Sequence, residues 1–95
     1  MNFHYTIYIH AHNENGVLPR ILLAFSRRQI KVQALQFFDL EAQRPADMQF
    51  EVDCSPSKVD ALITQLKRIV EVSQVWADEI VQDEAMSTPA RLAAI

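Results

Sequence analysis

Glycine is nearly missing from this chain: 95 residues contain one, Gly16. That scarcity excludes the glycine-rich loops that cradle phosphates in nucleotide-binding proteins. Cysteine is equally scarce. Cys54 stands alone, so there is no internal disulfide and no Cys/His set with zinc spacing, and a reducing cytoplasm is the expected compartment. No apolar run reaches the roughly 18 residues of a membrane span. The opening MNFHYTIYIHAH has no basic segment and places polar residues at alternate positions, so neither a signal peptide nor a membrane partner is expected. Positive charge is not in surplus either: 9 Lys and Arg face 12 Asp and Glu, a net charge of −3. Nucleic acid and anionic membrane surfaces select for the opposite balance.

What is present is ordinary for a globular domain: 49% hydrophobic and 22% charged residues, in a length that suits one domain. Residues 3–11, FHYTIYIHA, alternate strictly. Phe3, Tyr5, Ile7, Ile9 and Ala11 share one face, while His4, Thr6, Tyr8 and His10 share the other, which predicts a half-buried strand. HNENG then turns the chain. A helix is expected over 17–28, with Leu18, Ile21, Leu22 and Phe25 as its apolar stripe. Pro19 fits its first turn, where a missing N–H costs nothing. A second strand is expected over 30–40, its alternation slipping at Phe37 and Phe38 in a way that suggests a bulge. A third strand covers 47–54, with Met48, Phe50, Val52 and Cys54 inward. Ser55-Pro56 is a helix start, followed by a stripe of about four turns from Val59 to Val70. A fourth strand begins at Glu71, and residues 83–95 read as a flexible tail beyond a domain of residues 1–82.

The order β-α-β-β-α-β predicts an α+β, ferredoxin-like fold: a four-stranded antiparallel sheet with both helices on one face. The other face then stays open, and its side chains constrain function. RNA-binding domains of this topology stack bases on aromatics of the central strands, but here the third strand presents Gln49, Glu51 and Asp53. His10 and His12 have a spacing that suits a metal, yet no further ligand is near in sequence, so no metal is expected. Cys54 occupies an inward position and reads as core, not as a nucleophile. Asp78-Glu79 and Asp83-Glu84 read as solvated pairs. No catalytic constellation emerges.

One pattern is more specific. Asn13, Gly16, Val17, Leu18, Arg20, Ile21, Phe25, Ser26, Arg27 and Arg28 together resemble the first strand–helix unit of an ACT domain, and in particular the short regulatory small subunits of acetolactate synthase. Leu66, Lys67, Ile69, Val70, Val72 and Val75 resemble the end of that family's second helix. The resemblance implies a protein without cofactor or catalysis of its own. Such a subunit binds and activates a large catalytic subunit that carries thiamine diphosphate, magnesium and FAD. It also implies homodimers joined edge to edge, and an effector such as valine near the first loop. The candidate effector residues are Asn13, Asn15, Gly16, Val17, Leu18 and Lys31. Free N–H groups at Gly16, Val17 and Leu18, at the positive end of the helix dipole, suit a carboxylate. Lys31 stands where feedback-sensitive members have asparagine, and Gln29 where they have a small residue. The second strand is the expected dimer edge, through Phe37, Phe38 and Leu40, because an apolar edge left bare is an aggregation hazard. A free-standing amino-acid sensor with another target is the alternative.

Overall fold

The computed structural model describes residues 2–39 and 44–80. Six elements follow in order: β1 (Phe3–Ala11), α1 (Val17–Arg27), β2 (Val32–Phe38), β3 (Ala46–Cys54), α2 (Pro56–Leu66) and β4 (Val72–Glu79). They form the expected ferredoxin-like fold, one antiparallel sheet in the order β2-β3-β1-β4. Leu40 and the segment 83–95 lie outside the described residues, and so does the expected domain boundary at 82.

The alternation in β1 and β3 dictates the core. Across the β1–β3 ladder, Ile7 faces Phe50, Ile9 faces Met48 and Tyr5 faces Val52, and all six are buried. Helix α1 lays Val17, Ile21, Ala24 and Phe25 on this layer, and α2 adds Val59, Leu62 and Leu66. Phe25 stacks on Phe50 with ring centroids 4.6 Å apart. Helix α2 starts as its sequence requires: Ser55 Oγ accepts from the Lys58 N–H, and Pro56 occupies the first turn.

Four local expectations are corrected. The bulge in β2 does not fall at Phe37 and Phe38. It falls between Val32 and Ala34, where Gln33 is the extra residue, and Phe37 and Phe38 pair regularly with Met48 and Asp47. Leu22 is exposed with Leu23 instead of joining the buried stripe of α1. Helix α2 ends a turn early: the Ile69 N–H bonds the Leu66 carbonyl and the Val72 N–H bonds that of Ile69. The resulting turn leaves Val70 at 91% exposure. Finally, β4 begins at Val72, one residue after the expected Glu71.

Helix α1 ends with Gln29 at φ 58°, a left-handed conformation that a side chain resists. The Ile30 N–H closes the turn onto the Phe25 carbonyl at 3.0 Å. Glycine is the usual residue at such a position. Gln29→Gly is therefore expected to stabilise the fold by about 0.5–1 kcal/mol in urea denaturation, the left-handed cost less glycine's added chain entropy.

Candidate functional site

The loop between β1 and α1 is built around Gly16, whose φ of 84° only glycine adopts freely. Gly16 takes the N-cap position with no side-chain capping bond. Of the three donors expected to be free, Val17 is already committed, its N–H reaching the Glu14 carbonyl at 3.1 Å. Among the described residues those of Gly16 and Leu18 have no acceptor, and both belong to the positive end of α1.

Three contacts hold this loop. The His12 N–H donates to the Glu71 carbonyl at 2.9 Å. Arg20 donates through both its backbone N–H and its Nε to the Gly16 carbonyl, at 3.2 and 3.3 Å, while its Nη2 lies 2.7 Å from Oε1 of Glu71. That last approach is an ion pair without hydrogen-bond alignment, so the buried Oε1 accepts no hydrogen bond. Asn13 donates its amide N–H to Asp39 at 2.7 Å, which leaves Asn13 Oδ1 as an open acceptor beside the loop. Asn15 is exposed.

Lys31 is elsewhere. It precedes Val32, which pairs with Val52 and through it aligns with Tyr5, at the far end of β1 from Gly16. Six strand positions separate Tyr5 from Ala11, about 20 Å at the usual rise. A single chain therefore joins Asn13, Asn15, Gly16, Val17 and Leu18 in one place but does not bring Lys31 to them. Two bracing residues, Asp39 and Glu71, carried no signal in the sequence because each acts across the sheet from a distant position.

A hydrogen bond from its own backbone N–H, followed by Arg20, holds the Glu71 carboxyl below its ordinary range. A depressed folded-state value contributes stability above the ordinary carboxylate pKa and loses it as pH falls through the depressed value. The chain should thus lose urea resistance as pH falls below the ordinary carboxylate range, and not above it. Glu71→Gln should show a shallower acid loss together with a lower midpoint at pH 7.

The uncovered sheet face is also ordered. His4 places Nδ1 2.6 Å from Asp53 and Nε2 3.2 Å from Glu51, and His10 places Nε2 2.7 Å from Asp47. Gln33 donates to Asp53 at 2.8 Å. Bonds from His4 and then Gln33 hold the Asp53 carboxyl below its ordinary range, so it stays charged at neutral pH. Trp76 lies on this face, stacked on Tyr8 at 5.2 Å with 15° between the rings. His10 meets Trp76 edge-on, also at 5.2 Å. The described residues hold no group of three side chains able to ligate a metal, and no described helix is long and apolar enough to cross a membrane. Burial pushes the Cys54 thiol up, which suits a core residue. Two surface cavities lie away from the Gly16 loop. One of about 360 Å³ runs from Lys67 to Trp76 along β4, and one of about 350 Å³ is lined by Arg27, Arg28, Thr64, Gln65 and Arg68.

A βαββαβ sheet with a glycine-headed loop at the start of its first helix is the arrangement found in ACT domains, which are regulatory modules. The sequence match is narrower: residues 7–74 fit the AHAS small subunit-like ACT domain, and the chain belongs to that family. No curated protein matches the sequence. Solved structures share the fold at low identity. The ACT domain of GTP pyrophosphokinase from Chlorobium tepidum superposes with a TM-score of 0.71 at 15% identity, over 82% of this chain and 100% of that one. The acetolactate synthase small subunit from Thermotoga maritima gives 0.68 at 17%, over 86% of this chain and 50% of that one. A homoserine dehydrogenase from Thiobacillus denitrificans gives 0.71 at 16%, over 85% of this chain and 18% of that one.

Proposed function

We propose that this chain is a regulatory subunit of acetolactate synthase, without catalysis or cofactor of its own. It binds and activates the large subunit that carries thiamine diphosphate, magnesium and FAD. The observation that carries this reading is the match of residues 7–74 to the small-subunit-like family, with Gly16 and its braced loop inside it.

In this reading two copies pair through the exposed edge of β2, and the pairing completes the effector site. Antiparallel pairing of β2 with its copy sets the start of one strand beside the end of the other. Lys31 of one protomer then approaches the Asn13–Leu18 loop of its partner. The free N–H groups of Gly16 and Leu18 receive an amino-acid carboxylate, Val17 stays the buried anchor of the helix, and Asn13 Oδ1 receives the ammonium group. The ammonium of Lys31 adds a second attraction for the carboxylate and a repulsion for the ligand's own ammonium. Asn15, exposed at the rim, controls access.

Adding the purified chain to the purified catalytic subunit from the same cell is expected to raise synthase activity at least severalfold and to change its response to valine. Absence of both binding and effect removes the assignment. A second reading has a specific observation behind it: the fold is shared equally with ACT domains of unrelated enzymes. Under that reading the chain is a free-standing amino-acid sensor with another target, and calorimetry shows tight valine, leucine or isoleucine binding with no synthase partner.

A further inference from the structure

The open face of the sheet separates charge from its surroundings. The outward positions of the four strands carry Asp47, Glu51, Asp53 and Asp78 and no lysine or arginine, with His4 paired to Asp53 and Glu51 and His10 paired to Asp47. At their centre Tyr8 and Trp76 stack into one aromatic platform, with Trp76 exposed. The helices lie on the opposite side of the sheet, where Arg27, Arg28 and Arg68, at and just beyond the ends of α1 and α2, gather around one cavity.

We propose that this face docks a positively charged, arginine-bearing segment of a partner protein. A guanidinium is planar and weakly hydrated. It stacks on indole and phenol faces and donates in a fork to carboxylates at the same time, and this face offers both at one place. Tryptophan and tyrosine set among polar groups are also the residues that dominate protein interfaces. The acids exclude nucleic acid, whose phosphates they repel. They also exclude a second copy meeting face to face, which would set carboxylates against carboxylates. Given the proposed function, on which this inference rests for the partner's identity, the segment belongs to the synthase catalytic subunit. The β2 edge then serves dimerisation and the open face serves docking.

Trp76 is the chain's one tryptophan, so its emission reports this face directly. Titration of the catalytic subunit into the chain is followed by calorimetry, and Trp76 accessibility by iodide quenching of the chain's emission in complex with a catalytic subunit whose tryptophans have been replaced by phenylalanine. Binding should shield Trp76 from iodide and weaken by tenfold or more between 50 and 200 mM salt. Trp76→Ala and the pair Asp47→Lys, Asp78→Lys should each weaken it by about tenfold or more. Lys58→Ala, on α2, should bind unchanged. Circular dichroism melts of each variant establish that it is folded, and Trp76→Phe, which keeps a ring, should retain most of the affinity. Tight binding by the unsubstituted chain that is indifferent to salt and to these substitutions overturns the docking face and leaves the regulatory reading intact. No binding by the unsubstituted chain removes the regulatory reading and the docking face with it. Self-association beyond the dimer that Trp76→Ala abolishes assigns the face to another copy of the chain and overturns the proposal.

Discussion

Phe50→Ala is expected to cost about 3–5 kcal/mol, a large share of the roughly 5–15 kcal/mol that holds a domain of this kind together. Phe50 is fully buried at the middle of β3. It faces Ile7 on one neighbouring strand and Leu35 on the other, and its ring stacks on Phe25 of α1. Truncation therefore removes apolar contact from three elements at once. Two adjacent strands and a helix fix the walls of the cavity, so little of it can collapse. Urea denaturation followed by circular dichroism should show a midpoint far below that of the unsubstituted chain, or no folded baseline. Val70→Ser, at a position 91% exposed, should change stability by no more than about 0.5 kcal/mol. Equal losses at the two positions would contradict this account of the core.

If two copies pair through β2 as proposed, the unsubstituted chain is expected to sediment as a dimer and a chain carrying Leu35→Asp and Phe38→Asp as a monomer. Edge strand β2 presents unpaired backbone groups, with Leu35 at 40% and Phe38 at 44% exposure. Leu35 projects to the side of the sheet that carries the helices, since it pairs with buried Phe50, and Phe38 projects to the open side with Asp47. Apolar groups thus flank the edge on both sides. A two-fold pairing of β2 covers this edge with its own copy. Four new carboxylates in that interface, two from each copy, should shift the dissociation constant by several orders of magnitude, read by analytical ultracentrifugation. Valine affinity and synthase activation should fall with the dimer if Lys31 reaches the loop of the partner. Phe37 is the wrong residue for this test, because it is half-buried against the core and a charge there unfolds the strand. A dimer that persists in the Leu35→Asp, Phe38→Asp chain would move the interface away from β2.

Most of this architecture was legible because β1 and β3 alternate without error. Their inward residues are the core, and a single slip would have turned them to solvent. Ser55-Pro56 and Gly16 likewise announce helix starts through local chemistry that no tertiary contact overrides. The misreadings have a common physical cause. Leu22 and Val70 fit helical spacing, but spacing does not say how wide a stripe the sheet covers, nor that a turn interrupts α2 after Leu66. The bulge was assigned to the visible Phe37-Phe38 pair, while the ladder absorbs its extra residue at Gln33, a position with no compositional mark. At the site, Asn13 and Gly16 were readable because they belong to one loop. Asp39, Glu71 and the Tyr8–Trp76 stack depend on register between strands far apart in sequence, which one strand's pattern does not encode. Lys31 lies at the far end of β1 from the loop, and only the proposed dimer would bring the two together.

The sheet has a second bare edge, β4, and it differs from β2 in a way that matters for assembly. Two copies joined through β2 close on themselves, whereas β2 of one copy laid against β4 of the next would leave a fresh edge at each end and grow without limit. Asp78 and Glu79 put negative charge at the end of β4, and its ladder with β1 breaks register between His10 and Ala11. Charge and irregularity on an edge are the usual barriers to strand addition. In the proposed dimer the same eight residues that carry Trp76 would act as the terminator of the sheet, keeping a chain with two strand edges a finite particle instead of a ribbon.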